Sequence, residues 1–207
     1  SATEEEEKKG EDGPVAAKHA TLEETTDATV ELMENRHTRN IASPFINQKK
    51  AWDDENDFTI SPEIVRGIVE ELGFIKPSNI QGVAVPLIAT PVNGIYHDLI
   101  AQAKNGSGKT GAFSIGSTLR VDPAILKPQV LVVCHVRELS SQIADVYSKL
   151  AKYTNINVTN FTQSGATEGH QIVVTTLGKL ANNLKKRGNS GKLDLSALRC
   201  FVVDETD

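Results

Sequence analysis

The sequence predicts an α/β fold, a parallel sheet with helices on both faces, preceded by an acidic tail. Three observations predict it. Short runs rich in Val, Ile and Leu recur at 98–102, 130–134, 156–161, 172–175 and 200–203. Stretches with helical apolar spacing separate several of them, starting near Lys109, Arg137 and Leu177. A glycine-rich run lies between the first of these strands and the helix that follows it. Near-continuous apolar strands joined by helices imply a parallel sheet covered on both sides, and ligands of such sheets bind at the carboxyl ends of the strands.

The chain begins with a segment that cannot build a core. Residues 1–31 carry ten Asp and Glu against three Lys, while the rest carries seventeen against nineteen Lys and Arg, so the net charge of −5 hides a near-neutral body. The acidic total therefore does not exclude a nucleic-acid groove, which needs only a local basic cluster. Residues 1 to about 30 are too poor in large apolar groups to offset ordering entropy and are expected to be disordered. A short helix is possible at 29–39, and the tail as a whole is placed at 1–45, with the folded domain at 46–207. The tail is read either as a solvated extension or as a docking or autoinhibitory segment.

Ser61-Pro62-Glu63 is a helix start, an N-cap followed by proline in the first turn, and Ile64, Val65, Ile68, Val69 and Leu72 follow at helical spacing. Gly73 ends that helix. A second helix is predicted from Ser78 to about Ile88. No run approaches the roughly 20 apolar residues that a membrane span needs, and the acidic start is unlike a secretory signal, so the expectation is a soluble, intracellular protein. Cys134 and Cys200 each lie in an apolar strand. They are read as packed, reduced thiols, with no cysteine metal site.

The run Ala103-Lys104-Asn105-Gly106-Ser107-Gly108-Lys109-Thr110 carries the clearest chemistry. Gly106 and Gly108 allow backbone angles that turn successive N–H groups toward one anion at the start of the next helix. Lys109 would reach the outer phosphates of a nucleotide, and Thr110 would hold Mg²⁺. The last strand empties into Asp204-Glu205-Thr206-Asp207, expected at the same sheet edge as the phosphate loop. There Asp204 would hold the metal, and Glu205 would orient or deprotonate an attacking water.

These motifs, with Gly73-Phe74-Ile75-Lys76-Pro77-Ser78-Asn79-Ile80-Gln81, Val136-Arg137-Glu138-Leu139 and Thr176-Leu177-Gly178-Lys179, resemble in order those of the DEAD-box ATP-dependent RNA helicases. The resemblance covers about residues 50–207. It implies a RecA-like P-loop NTPase domain that uses ATP and Mg²⁺ and binds RNA, as a single strand or short duplex. It further implies that Gln81 reads the adenine edge, that Pro77 shapes the turn beside Phe74, and that Ala103, Asn105, Gly106, Ser107, Gly108, Lys109 and Thr110 cradle the phosphates. Arg137, Gly165, Thr176, Gly178 and Lys179 would meet the RNA backbone.

Ser43-Pro44-Phe45, the Lys76 to Gln81 run and Arg120-Val121-Asp122-Pro123 are similar to the mRNA-export subfamily of the nuclear pore. That likeness implies a nucleoporin and an inositol-hexakisphosphate-dependent activator as partners, a monomer, and a place in cytoplasm and nucleus at the pore's cytoplasmic face. The translation-initiation helicases are the nearest alternative.

The departures from the family pattern are informative too. For the aromatic that stacks on adenine, Trp52 is favoured over Phe58, with a buried anchor as the other role for Trp52. His135-Val136 stands for Pro-Thr, Leu177 for Pro, Thr206 for Ala, and Ser164-Gly165-Ala166 for a glycine pair. The Lys179, Lys185, Lys186 and Arg187 cluster is either a phosphate-binding face or a solvated helix end; His135 and His170 are read as structural. The sequence given stops before the family's next motif and its second RecA-like domain, which supplies the transition-state arginine. This chain alone is therefore expected to bind nucleotide but hydrolyse it negligibly. A non-catalytic binding module is the alternative of a different class. An unrelated P-loop kinase or GTPase fits less well, because no Asn-Lys-x-Asp run for reading guanine is present.

Overall fold

The computed structural model describes Trp52 and residues 60–205 apart from Val92, Ala166 and 187–191, together with the backbone of 28–32. The element order is β1 (Ala28–Leu32), α1 (Pro62–Arg66) running on into a π-turn (Gly67–Glu71), α2 (Asn79–Ala89), β2 (Leu99–Ala103), α3 (Lys109–Thr118), β3 (Val130–Cys134) and α4 (Arg137–Ala151). It continues with β4 (Val158–Asn160), α5 (Phe161–Ser164), β5 (Ile172–Thr176), α6 (Leu177–Leu184) and β6 (Cys200–Val203). Phe58 and the tail up to Asp27 lie outside the described residues, as do 33–51.

Four strands form one parallel sheet in the order β4-β5-β3-β6. Every residue of β3 and β5 is buried, as the unbroken apolar runs predict for central parallel strands. On one face Val130, Val132, Ile172 and Val174 pack against Ile143, Ala144 and Tyr147 of α4. On the other, Leu131, Val133 and Val173 pack against Phe161, Leu180 and Leu193. Both faces of the sheet are therefore covered. Cys134 and Cys200 are free thiols, and burial raises the pKa of both.

The amino-terminal helices obey their local signals. Ser61 caps α1, accepting a hydrogen bond from the Ile64 amide at 3.4 Å, with Pro62 in the first turn. Ser78 and Gln81 cap α2 reciprocally. Gly73, at φ +70°, turns the chain out of the π-turn. Gly67 allows the π-turn to lie against α4, since a Cβ there would stand 2.3 Å from the Leu150 carbonyl oxygen.

Three expectations are corrected. The short helix allowed at 29–39 is not formed over 29–32, where Ala28–Leu32 is a strand pairing antiparallel with β2 in the register Ala28↔Ala103 to Leu32↔Leu99, while 33–39 lie outside the described residues. Thr29 and Val30 are β-branched, and β2 offers an unpaired edge whose hydrogen bonds an isolated short helix could not match. The strand leading to the phosphate loop thus pairs with β1, outside the four-stranded sheet. The strand expected at 156–161 is only three residues long. Asn160 accepts the Thr162 amide at 3.1 Å and so caps a helical turn that takes Phe161 out of the strand.

Candidate nucleotide-binding site

The phosphate loop joins β2 to α3, with Gly106 at φ +78° and Gly108 at φ +99°. Gly108 is also sterically required, because a Cβ would lie 2.8 Å from Gln81 Nε2 and 2.9 Å from Ser78 Oγ. Gly108 is the N-cap of α3, so the unbonded N–H groups of the first helical turn open onto the loop. The Ser107 hydroxyl is buried with no hydrogen-bond partner among the described residues. A buried orphan hydroxyl inside an anion cradle is chemistry suited to a ligand oxygen.

The turn before α2 is bolted to this loop. Ser78 Oγ donates to the Ser107 carbonyl at 2.9 Å, and Gln81 Nε2 donates to the Gly108 carbonyl at 3.3 Å. Gln81 Oε1 accepts from the Ser78 amide at 2.9 Å, which among the described residues leaves one amide hydrogen and one acceptor lone pair on this 3% exposed side chain. Phe74 packs against α3, since a Cβ on Gly111 would meet its ring at 2.8 Å. Pro77 is half-buried between them. Lys109 folds back on the loop, donating to the Ala103 carbonyl at 2.5 Å and the Lys104 carbonyl at 3.5 Å. Asn105 is exposed at the loop's tip, and Thr110 is half-buried in the first turn of α3.

Asp204 follows β6, its amide donating to the Val133 carbonyl at 3.0 Å. Burial and the neighbouring Glu205 carboxylate push the Asp204 pKa up, partly opposed by a hydrogen bond to the Glu205 backbone and by the Lys109 ammonium. Glu205 takes a left-handed backbone, φ +52°, and its Oε2 is 3.5 Å from His135 Nδ1, so His135 sits beside the acidic turn. No group of three or more His, Cys, Asp or Glu gathers to hold a metal among the described residues. One hydroxyl from Thr110 and one carboxylate from Asp204 suit Mg²⁺, which keeps its waters and shares phosphate oxygens.

Trp52 requires a correction. It is 2% exposed, packed with Ile60, Ile64, Ile68, Val85, Ile115 and Leu150, and its Nε1 donates to the Phe74 carbonyl at 2.7 Å. A side chain sealed in this way presents no face to a base. It is the anchor of the Phe74 turn.

The residues expected to meet RNA all gather at the carboxyl edge of the parallel sheet. Arg137 opens α4 after β3, Gly165 ends α5 after β4 at φ +69°, and Thr176, Gly178 and Lys179 open α6 after β5. Thr162 Oγ1 accepts the Thr176 amide at 3.1 Å, and Gln163 Nε2 donates to Ser141 Oγ at 2.8 Å, tying these loops together. Lys179 Nζ stands 5.3 Å from the Phe161 ring. Asn160 and Thr162, which hold this edge in shape, were not legible beforehand; the only sequence signal was an Asn after a short strand. The substituted Val136 and Leu177 are exposed here, Leu177 at 64%.

Comparison with known proteins agrees with this geometry. Residues 78–207 match the DEAD/DEAH box helicase family model. The chain is 34% identical over 199 residues to DEAD-box ATP-dependent RNA helicase 38 of Arabidopsis thaliana, covering 89% of this chain and 38% of that protein. Dbp5 of S. cerevisiae bound to RNA and ADP BeF3 matches with a TM-score of 0.59 at 26% identity, covering 75% of this chain and 38% of the other. A variant of S. cerevisiae Dbp5 bound to Nup159, Gle1, IP6 and ADP matches with a TM-score of 0.58 at 28% identity, covering 70% and 38%. The chain thus spans less than two fifths of the length of each of these three. On the match over residues 78–207 and the identity to these relatives, the chain belongs to the DEAD/DEAH box helicase family.

Proposed function

We propose that this chain is the nucleotide-binding, N-terminal RecA-like half of an ATP-dependent RNA helicase acting in mRNA export. The observation that carries the reading is the state of Gln81. Its amide is held against the phosphate loop yet keeps one donor and one acceptor, the pair that adenine's N7 and N6 amino group require. Guanine presents two acceptors at the corresponding positions and would leave one of them facing the Gln81 oxygen.

Lys109 would exchange the Ala103 carbonyl for the outer phosphates, a charge-assisted contact stronger than the one it leaves. Thr110 and Asp204 would hold Mg²⁺, which when bound neutralises charge developing on the phosphates. Its ionised form being disfavoured in the free protein, Asp204 gains from any cation placed beside it. Glu205, on its constrained backbone, would orient or deprotonate water. Arg137, Thr176 and Lys179, with the close-approach positions Gly165 and Gly178, would grip RNA phosphates and fix register without reading sequence. In this reading the domain comprises residues 46–207 and the tail 1–45. Hydrolysis by this chain alone would be negligible, since a transition-state arginine from a second domain contributes about 10³ to 10⁵ in rate.

The partners of S. cerevisiae Dbp5 in those complexes, RNA, Nup159, Gle1 and IP6, support RNA, a nucleoporin and an inositol-hexakisphosphate-dependent activator as the partners here. They support a site of action at the cytoplasmic face of the nuclear pore, shared between cytoplasm and nucleus. No helix among the described residues is long and apolar enough to cross a membrane. Titration calorimetry with Mg-ADP and Mg-GDP tests the reading. Binding of ADP at least tenfold tighter than GDP is expected; binding of neither, by a chain that melts cooperatively, would favour the non-catalytic module.

A further inference from the structure

His135 is a departure from the family pattern that the proposed chemistry leaves unused. It stands where that pattern has proline, a residue with no side-chain donor, and it follows directly on β3. β6 runs parallel beside β3 with Val203 opposite Val133, so the two strands leave the sheet side by side. His135 and Glu205 are each the second residue beyond that pair. Their side chains meet there, with Glu205 Oε2 3.5 Å from His135 Nδ1.

The exit of β3 thus holds the acidic turn at two points. The Val133 carbonyl accepts the Asp204 amide at 3.0 Å, which fixes the backbone entering Glu205. Glu205 itself takes φ +52°, in the left-handed region that admits only a small range of backbone angles for a residue with a side chain. His135 then meets the far end of that side chain. Both side chains are open to water, at 54% and 56%. An exposed pair of this kind contributes little to stability. Its effect is on where the carboxylate points, since one oxygen engaged by an imidazole leaves the other for a water molecule.

A base that is itself oriented by a further group is a recurring arrangement in sites that activate a nucleophile. We infer that His135 is a positioning residue for Glu205, holding one carboxylate oxygen so that the other is presented to the attacking water. The inference rests on the nucleotide reading above and adds to it a residue that acts only through Glu205. His135 donates from Nδ1 and takes no proton from the water; a proton leaving the water goes to the free Glu205 oxygen.

Two measurements on the full 207-residue chain test this. In the first, the ring-nitrogen NMR signals of His135, identified by their loss in His135→Asn, are compared with and without Glu205→Gln. A shifted Nδ1 signal is expected, and an unmoved one overturns the inference. In the second, slow hydrolysis of Mg-ATP is followed over hours with protein in excess, above the background left by Lys109→Ala. His135→Ala is expected to slow it about fivefold to tenfold with Mg-ADP affinity held within about twofold, while His135→Asn, whose amide can donate from the Nδ1 position, recovers most of the rate. In a Glu205→Gln background, His135→Ala is expected to change nothing further. An unchanged rate in His135→Ala, no recovery in His135→Asn, or a further loss in the Glu205→Gln background each overturns the inference, and a thermal melt on the same samples verifies that these exposed substitutions leave the chain folded. Binding of Mg-ADP without hydrolysis above the background removes the roles of Glu205 and His135 together and leaves the nucleotide reading standing, whereas failure to bind Mg-ADP removes that reading itself.

Discussion

The phosphate-loop corner and the carboxyl edge of the sheet are both built from family motifs, yet they are held in different ways. At the corner, Ser78, Gln81, Gly108 and Lys109 close hydrogen bonds or close contacts of the fold, and in the proposed reading Gln81, Gly108 and Lys109 also meet the nucleotide. Along the edge, Arg137 and Leu177 are exposed side chains at helix starts, and the fold's own links there run through Asn160, Thr162, Gln163 and Ser141. In the proposed reading a change at the corner costs fold and ligand together, whereas a change at an exposed edge side chain such as Arg137 costs mainly ligand contacts. Two of the departures from the family pattern, Val136 and Leu177, fall at the edge.

The largest effect that would break this comparison is at Lys109. Lys109→Ala is expected to weaken Mg-ADP about a hundredfold in calorimetry, from the loss of charge-assisted contacts of roughly 1.5–3 kcal/mol each. Unchanged affinity would remove the phosphate cradle. Next is Gly67, remote from both ligands, where the added methyl of Gly67→Ala meets the Leu150 carbonyl. A loss of about 1–3 kcal/mol in urea unfolding is expected, with ADP affinity of the folded protein unchanged. If ADP binding fell with stability, the π-turn would belong to the site as well as the fold.

At the edge, Lys179→Ala is expected to lower RNA affinity evenly across sequences and reduce the slope of log affinity against log salt by about 1, without moving ADP affinity. Loss confined to one RNA sequence would contradict a backbone contact. The smallest effect is optical. Trp52 emission should stay fixed on saturation with Mg-ADP and resist acrylamide quenching, because its ring is sealed in the core; a nucleotide-dependent shift would return Trp52 to the base.

Much of this was legible in the sequence wherever one residue's local chemistry settles the matter. Ser61-Pro62 starts a helix, Gly73 ends a turn, and Gly106 and Gly108 take the backbone angles that a phosphate loop needs. What could not be read depends on contacts between distant segments. The depth of Trp52 is decided by Phe74, twenty-two residues on, and by α1, α2, α3 and α4 closing over it. The π-turn answers to a backbone approach by α4, which no periodicity in 67–71 announces. The strand at 28–32 was hidden because its partner edge, β2, lies some seventy residues away, and composition near it speaks only of acid and disorder. Asn160 cut short an apolar-looking run because a side-chain cap outcompeted one more ladder pair.

One buried pair has a mechanical meaning. Helix α3 starts at the phosphate loop and α4 at the carboxyl edge of the sheet, and they are joined by Ser117 Oγ and Tyr147 OH at 2.7 Å, both fully buried. The clasp lies near the far end of α3 and two-thirds of the way along α4, like the rivet of a pair of tongs whose tips reach toward different ligands. A tilt forced on α3 from its phosphate end must carry α4 with it or open that clasp, parting the buried Tyr147 hydroxyl from Ser117 at a cost of about 1–3 kcal/mol, while Ser117 Oγ keeps the Phe113 carbonyl at 2.7 Å. Rigid transmission is thus the cheaper course for small displacements.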